Sequence, residues 1–103
     1  MDDNVVLCSA SRYTKKYYLN DRFSNLPKLV KDELKIMCVL FTEEVGGIIA
    51  LAFDEAGTLR IITEAAEGDL LYDEIGSHLK VKQLQTDKKE LFGQLEEYYD
   101  AFF

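Results

Sequence analysis

Residues 46–64 read GGIIALAFDEAGTLRIITE, and the fold follows from how this stretch is parsed. Two apolar runs flank Asp54-Glu55-Ala56-Gly57. In the first, 47–53, an extended chain places Ile49, Leu51 and Phe53 on one side and Ile48, Ala50 and Ala52 on the other. In the second, 58–64, Leu59 and Ile61 oppose Arg60, Ile62 and Glu64. Gly57 lacks a Cβ and can take the left-handed conformation that closes a short hairpin through a bulge. A strand apolar on both sides calls for cover on both sides, which places it mid-sheet under helices.

Upstream, Val5–Ala10 and Tyr13–Leu19 are rich in β-branched and aromatic residues, which favour a pleated, half-buried surface. They are read as strands 5–10 and 13–19, joined by a turn without Gly or Asn at Ala10–Arg12. Lys15 and Lys16 suit an edge strand, where lysine discourages strand-to-strand association. Ser24 or Asn25 is placed to cap a helix with Pro27 in its first turn. From Leu26, apolar residues recur at three and four through Leu29, Val30, Leu34, Met37, Cys38 and Phe41, predicting a helix over 26–44 that Gly46-Gly47 ends. Its segment Ile36–Leu40 is apolar nearly all round, so that end is sandwiched or faces a second subunit.

Asp69 can cap a short helix, 69–75, interrupted at Gly76-Ser77. Leu79–Gln85 suits a strand or a helix. Leu84, Leu91 and Tyr98 repeat every seven and favour one helix over 79–102, whereas Asp87 and Glu90 have the spacing of a fresh capping box. The terminal Phe102-Phe103 implies docking onto the core or a partner, because chain ends are ordinarily polar. The expected fold is α+β: an antiparallel sheet of about four strands (5–10, 13–19, 47–53, 58–64), helices 26–44 and 79–102 packed on it, and the short helix 69–75.

The chain has 103 residues, 48% hydrophobic and 30% charged, which is ordinary for a globule. One domain spanning 1–103 is expected, burying about 65% of the unfolded surface without needing a metal or disulfide. The net charge is −7, and residues 46–77 carry seven acids against Arg60 alone. Such a middle repels phosphate backbones, so nucleic acid is not an expected partner. No apolar run exceeds six residues, as in Ile36–Phe41, which is too short to span a membrane. Met1-Asp2-Asp3 lacks the basic start of a secretion signal. Cys8 and Cys38 fit free, buried thiols in a reducing cytoplasm.

Candidate chemistry is sparse. His78 follows Glu74 by four residues, but no second histidine completes a zinc set, and a solvated loop histidine is the simpler reading. Neither cysteine sits in a setting that would activate a nucleophile. Asp54, Glu55, Glu64, Glu67, Asp69, Asp73 and Glu74 lack the calcium-loop pattern and read as a solvated acidic face. No glycine-rich phosphate loop is present. No catalytic, cofactor-binding or metal-binding residue is therefore assigned, and no cofactor is expected. Two classes of function are carried forward. The first is a non-catalytic interaction or regulatory module forming a homodimer, with Ile36, Val39, Leu40, Tyr98, Tyr99, Phe102 and Phe103 as its candidate interface. The second is a small-molecule binder or enzyme with a pocket between Tyr13–Tyr18 and the acidic segment 64–78.

At YTKKYYLN (13–20), LKIMCVLFTEEVGGI (34–48), the hairpin and LKVKQLQ (79–85), the chain resembles a small bacterial family of uncharacterised proteins of about this length. That resemblance implies a bacterial, cytoplasmic setting and no particular activity. From Leu26 to about Ile75 it is also similar to roadblock/dynein light chain domains, which implies a non-enzymatic dimeric scaffold for small GTPases and motors. Two β-rich runs precede the helix here, and at most one strand follows the second helix where that family has several.

Overall fold

The computed structural model describes residues 4–103. Met1–Asp3, on which the reading of the chain start rests, lie outside the described residues. The elements are β1 (Val5–Ser11), β2 (Lys16–Leu19), a 3-10 turn (Asp21–Phe23), α1 (Lys28–Val45), β3 (Ile48–Phe53), β4 (Leu59–Glu64), α2 (Glu74–Asp87) and α3 (Lys89–Phe102). The strands form one antiparallel sheet in the order β2-β1-β3-β4. This is the α+β architecture expected, with several boundaries moved.

The β1–β2 turn closes without glycine because Ser11 substitutes for it. The Ser11 hydroxyl accepts from the Tyr13 and Thr14 amides at 3.1 and 3.3 Å. Lys15 takes the left-handed conformation (φ 56°). The turn consumes Arg12–Lys15, which is why β2 starts at Lys16 and not at Tyr13. Between Val6 and Cys8 the β1–β3 register shifts, leaving Leu7 as a buried bulge residue.

α1 starts at Pro27 with no side-chain cap, so neither Ser24 nor Asn25 caps it. Lys31 instead reaches back to the Ser24 carbonyl. The helix stops where expected: Gly46 and Gly47 both have positive φ, 82° and 70°. A Cβ on Gly47 would stand 2.5 Å from the Glu64 carbonyl oxygen and 2.7 Å from the Tyr72 ring. β4 and the following loop are therefore seated directly on this glycine.

The predicted short helix 69–75 is absent. Asp73, not Asp69, caps the next helix, accepting from the Gly76 amide at 2.8 Å. Gly76-Ser77 continues α2 instead of breaking it. A side chain at Gly76 would collide with the capping carboxylate, at 2.2 Å, so this glycine accommodates the cap. The expected continuous helix 79–102 is two helices, meeting at Lys88 (φ −107°, ψ 17°). The restart has no side-chain cap. Lys88 is held instead by Glu33 of α1 at 2.9 Å. Leu84 and Leu91 are both buried across the junction, so the seven-residue stripe survives the break.

All the helices lie on one side of the sheet. The rows Leu19–Cys8–Leu51–Ile61, Tyr17–Ala10–Ile49–Thr63 and Val5–Phe53–Leu59 face them. Onto these rows pack Leu34, Met37, Cys38 and Phe41 of α1, together with Leu84, Leu91, Phe92 and Leu95. The second side carries the rows Tyr18–Ser9–Ala50–Ile62, Lys16–Ser11–Ile48–Glu64 and Val6–Ala52–Arg60. Among the described residues, the buried sheet residues outside the helix-facing rows are the bulged Leu7 and the small Ala52. The expectation that 47–53 is covered by helices on both sides is thus not met, since the chain spends all of its helices on one face.

Two glycines separate packing from propensity. Gly47→Ala should destabilise by about 3 kcal/mol or more, through strain plus displacement of β4. Gly93→Ala, in α3 with nothing within 4 Å of the new methyl, should stabilise by about 0.5–1 kcal/mol. Urea unfolding of the two variants checks both signs.

Candidate functional site

The candidate interface residues do not form one patch. Met37, Cys38 and Phe41 turn into the core, while Ile36 and Leu40 point outward at 59% and 49% exposure. With Leu29 they line an apolar groove of about 550 Å³ between α1 and α2, rimmed by Asp32, Lys80 and Asp87. Val39 lies on another side of α1, in a separate cavity. At the C-terminus, Tyr99 stacks on Phe53 (4.2 Å between centroids) and on Phe103 (5.0 Å). Phe103 stacks on Phe23 at 4.7 Å, with the Arg22 guanidinium over its ring. Phe103 therefore docks on the chain's own core. Tyr98 is half-buried, and Phe102 leans on it while staying 71% exposed.

The small-molecule alternative places Tyr13–Tyr18 and segment 64–78 around one pocket, and the structure joins them differently. The Tyr13 hydroxyl donates to Asp69 at 2.6 Å and accepts from the Ala66 amide at 2.7 Å. This is a latch that ties the 65–73 loop to the β1–β2 turn. The acidic segment has its own cavity of about 660 Å³ between β4 and α2, lined among others by Ile61, Thr63, Tyr72, Ser77 and His78. Tyr72 donates to the buried Ser77 hydroxyl at its edge. His78 lies exposed on α2 and not in a loop. Leu70 and Leu71 are almost fully exposed, so this face is not purely polar. Among the described residues, no three His, Cys, Asp or Glu side chains cluster to hold a metal ion.

Cys8 and Cys38 are free, buried thiols with their sulfurs 3.8 Å apart, one on β1 and one on α1. The contact with Cys8, reinforced by burial, pushes the Cys38 thiol up, so it stays protonated and unreactive. The Tyr17 hydroxyl is buried beside them without reaching hydrogen-bond geometry to any partner. Burial, then the neighbouring Cys8, raises its ionisation well above the usual phenol range. At the β3–β4 turn, the Arg60 guanidinium and then the Thr58 amide hold Asp54 below the usual carboxylate range.

The surface that the residue patterns did not single out is the open side of the sheet. Its centre is built of small side chains, Ser9, Ser11 and Ala50, with Ala52 fully buried beside them, and its borders of Val6, Tyr18, Ile48 and Ile62. Val6 and Tyr18 are 38% and 52% exposed. The ends of one row carry opposite charges, Lys16 on β2 and Glu64 on β4. Its signal in the sequence is the double-sided apolar character of 47–53, which an uncovered sheet face accounts for as well as a second layer of helices does.

A profile of the family described as "Family of unknown function (DUF6145)" matches residues 4–103. The chain belongs to that family. No curated protein and no solved structure matches it. This DUF6145 chain therefore inherits no activity, and the likeness to roadblock domains gains no support. No helix among its described residues is long and apolar enough to cross a membrane.

Two measurements probe these polar contacts. Because its hydroxyl is buried without a partner, Tyr17→Phe should be neutral or stabilising by up to about 1–2 kcal/mol in thermal unfolding. The latch should respond to pH at both ends. The bond from Tyr13 lowers Asp69 and the same bond raises Tyr13. Asp69 then contributes fully above its unfolded value of about 3.9 and loses its contribution as pH falls through the lower folded value. Tyr13 contributes fully below about 10 and loses its contribution as pH rises through its higher folded value. Hydrogen exchange at the Ala66 and Leu71 amides should be slow between these limits and faster outside them, with Tyr13→Phe abolishing the dependence.

Proposed function

We propose that the chain is a non-catalytic interaction module that pairs with a second copy of itself through the open face of its sheet. The observation that supports this reading is an apolar sheet face, small-residued at its centre, over which the chain places none of its own helices. A soluble antiparallel sheet ordinarily alternates to a polar outer face. Here the outer rows keep Val6, Tyr18, Ile48, Ala50 and Ile62. Small residues at the centre let two backbones approach at the usual sheet spacing of about 10 Å.

The face is also complementary to itself. A twofold axis along the strands lays β2 of one copy over β4 of the other. Lys16 then meets the second copy's Glu64, Tyr18 meets Ile62, and Ser9 meets Ala50. The two ion pairs set orientation more than strength, because exposed pairs contribute about 0–1 kcal/mol each. Four strands by six residues give a face of about 19 by 20 Å. That is about 400 Å² per copy, below the usual figure of about 800 Å². Association is accordingly concentration-dependent.

Sedimentation velocity should show a monomer–dimer equilibrium between about 10 μM and about 1 mM. Ala50→Arg should leave the melting temperature near the parent's and abolish the dimer. Lys16→Glu and Glu64→Lys should each weaken it, and the double exchange should restore it. A monomer throughout that range overturns the reading. So does loss of the dimer in Ile36→Glu with retention in Ala50→Arg, which would assign the α1–α2 groove instead.

A further inference from the structure

The geometry points to a binding site for a phosphorylated small molecule in the cavity between the β1–β2 turn and α1. The cavity holds about 610 Å³, within the range of small-ligand sites, and is lined by Arg12, Lys15, Lys16, Lys35, Tyr17 and Val39 among others.

The distribution of positive charge carries the inference. The chain has twelve Lys and Arg residues. Lys28, Arg60, Lys80 and Lys88 are in ion pairs. Lys31 bonds the Ser24 carbonyl, and Arg22 lies over Phe103. Among the described residues, six remain without such a contact: Arg12, Lys15, Lys16, Lys35, Lys82 and Lys89. Four of those six line this one cavity, with Glu43 as its single carboxylate. Gathering four unanswered cations costs repulsion in the free protein, a cost that an anion between them reverses.

The backbone points the same way. Lys15 occupies the left-handed region at φ 56°, where Gly or Asn would sit without strain. A lysine there keeps a charge at the cavity mouth at the expense of the turn, and strain of this kind gathers at binding sites.

The ligand class follows from the lining. Arg12 offers a planar fork suited to two phosphate oxygens, and the lysines add point charges. The site's net charge of +3 matches a diphosphate better than a single carboxylate. The Tyr17 ring, Val39 and Ala10 supply an apolar wall for an organic portion. With the site's +3 set apart from the chain's −7, the rest of the chain carries −10. That field repels an extended polyanion and restricts the site to a compact one. Lys16 is shared with the open sheet face, whereas Arg12, Lys15 and Lys35 belong to none of its rows, so the inference does not rest on self-association.

Titration of the amide NMR spectrum of the full chain with pyrophosphate tests it, with citrate as an anion of similar charge but no phosphorus. Shifts should concentrate in 11–17 and 35–43 and saturate with a dissociation constant of about 1 mM or tighter. Arg12→Gln and Lys35→Gln should each weaken binding about tenfold, and Lys89→Gln should leave it unchanged. Both side chains are exposed, so the unliganded variants should melt as the parent does. Three results overturn the proposal: no saturation, shifts spread equally over Lys82 and Lys89, or citrate binding as tightly as pyrophosphate. Unchanged affinity in Arg12→Gln and Lys35→Gln also overturns it.

Discussion

Everything in this structure depends on β3 being a central strand with two partners and only one cover. It pairs with β1 on one side and β4 on the other over nearly its whole length. Ile49, Leu51 and Phe53 are fully shut off beneath the helices. Burying such side chains gains about 1.5–3 kcal/mol each, so this row anchors α1 and the C-terminal helices to one face. The Gly46-Gly47 reversal fixes that choice, because it folds β3 directly back under the helix that precedes it.

Around that core the chain closes itself with contacts of three kinds. A ring stack running Phe23, Phe53, Tyr99 and Phe103 pins the C-terminus. A carboxylate from α3, Glu96, accepts from the Leu59 amide at 2.7 Å and blunts the exposed edge of β4. The Tyr13–Asp69 bond holds the 65–73 loop against the first turn. Each satisfies or hides a group that an edge, an end or a loop would otherwise leave open. The outer rows of the sheet receive no such treatment, and that contrast gives the open face its meaning.

The two surfaces singled out use different physics and share only Ser11 and Lys16. The sheet face is largely apolar, with Lys16 and Glu64 at opposite ends of one row and the Asp54-paired Arg60 at the end of another, a pattern suited to a twofold partner. The cavity beside α1 is strongly positive within an acidic chain and suited to a compact anion. Membership in a family of unknown function constrains neither, so their standing rests on geometry and charge alone.

How far the letters reached can be traced residue by residue. The hairpin through Gly57, the helix from the Leu34–Phe41 repeat, the Gly46-Gly47 stop and the buried thiols were all legible. Each is set by local backbone freedom or by a period that one segment carries by itself. α2 was ambiguous because it buries only Ser77 and Leu84, too few to mark a period. Gly76 misled because its role, clearance for the Asp73 cap, is a contact and not a propensity. The gathering of Arg12, Lys15, Lys16 and Lys35 was invisible, since it takes the turn and the middle of α1 folded side by side. What the sequence by itself determined was which segments are extended, which are helical and that β3 is apolar on both sides. Only the tertiary structure decided that the helices share one side, because the same alternation is satisfied by a helix of this chain or by another molecule.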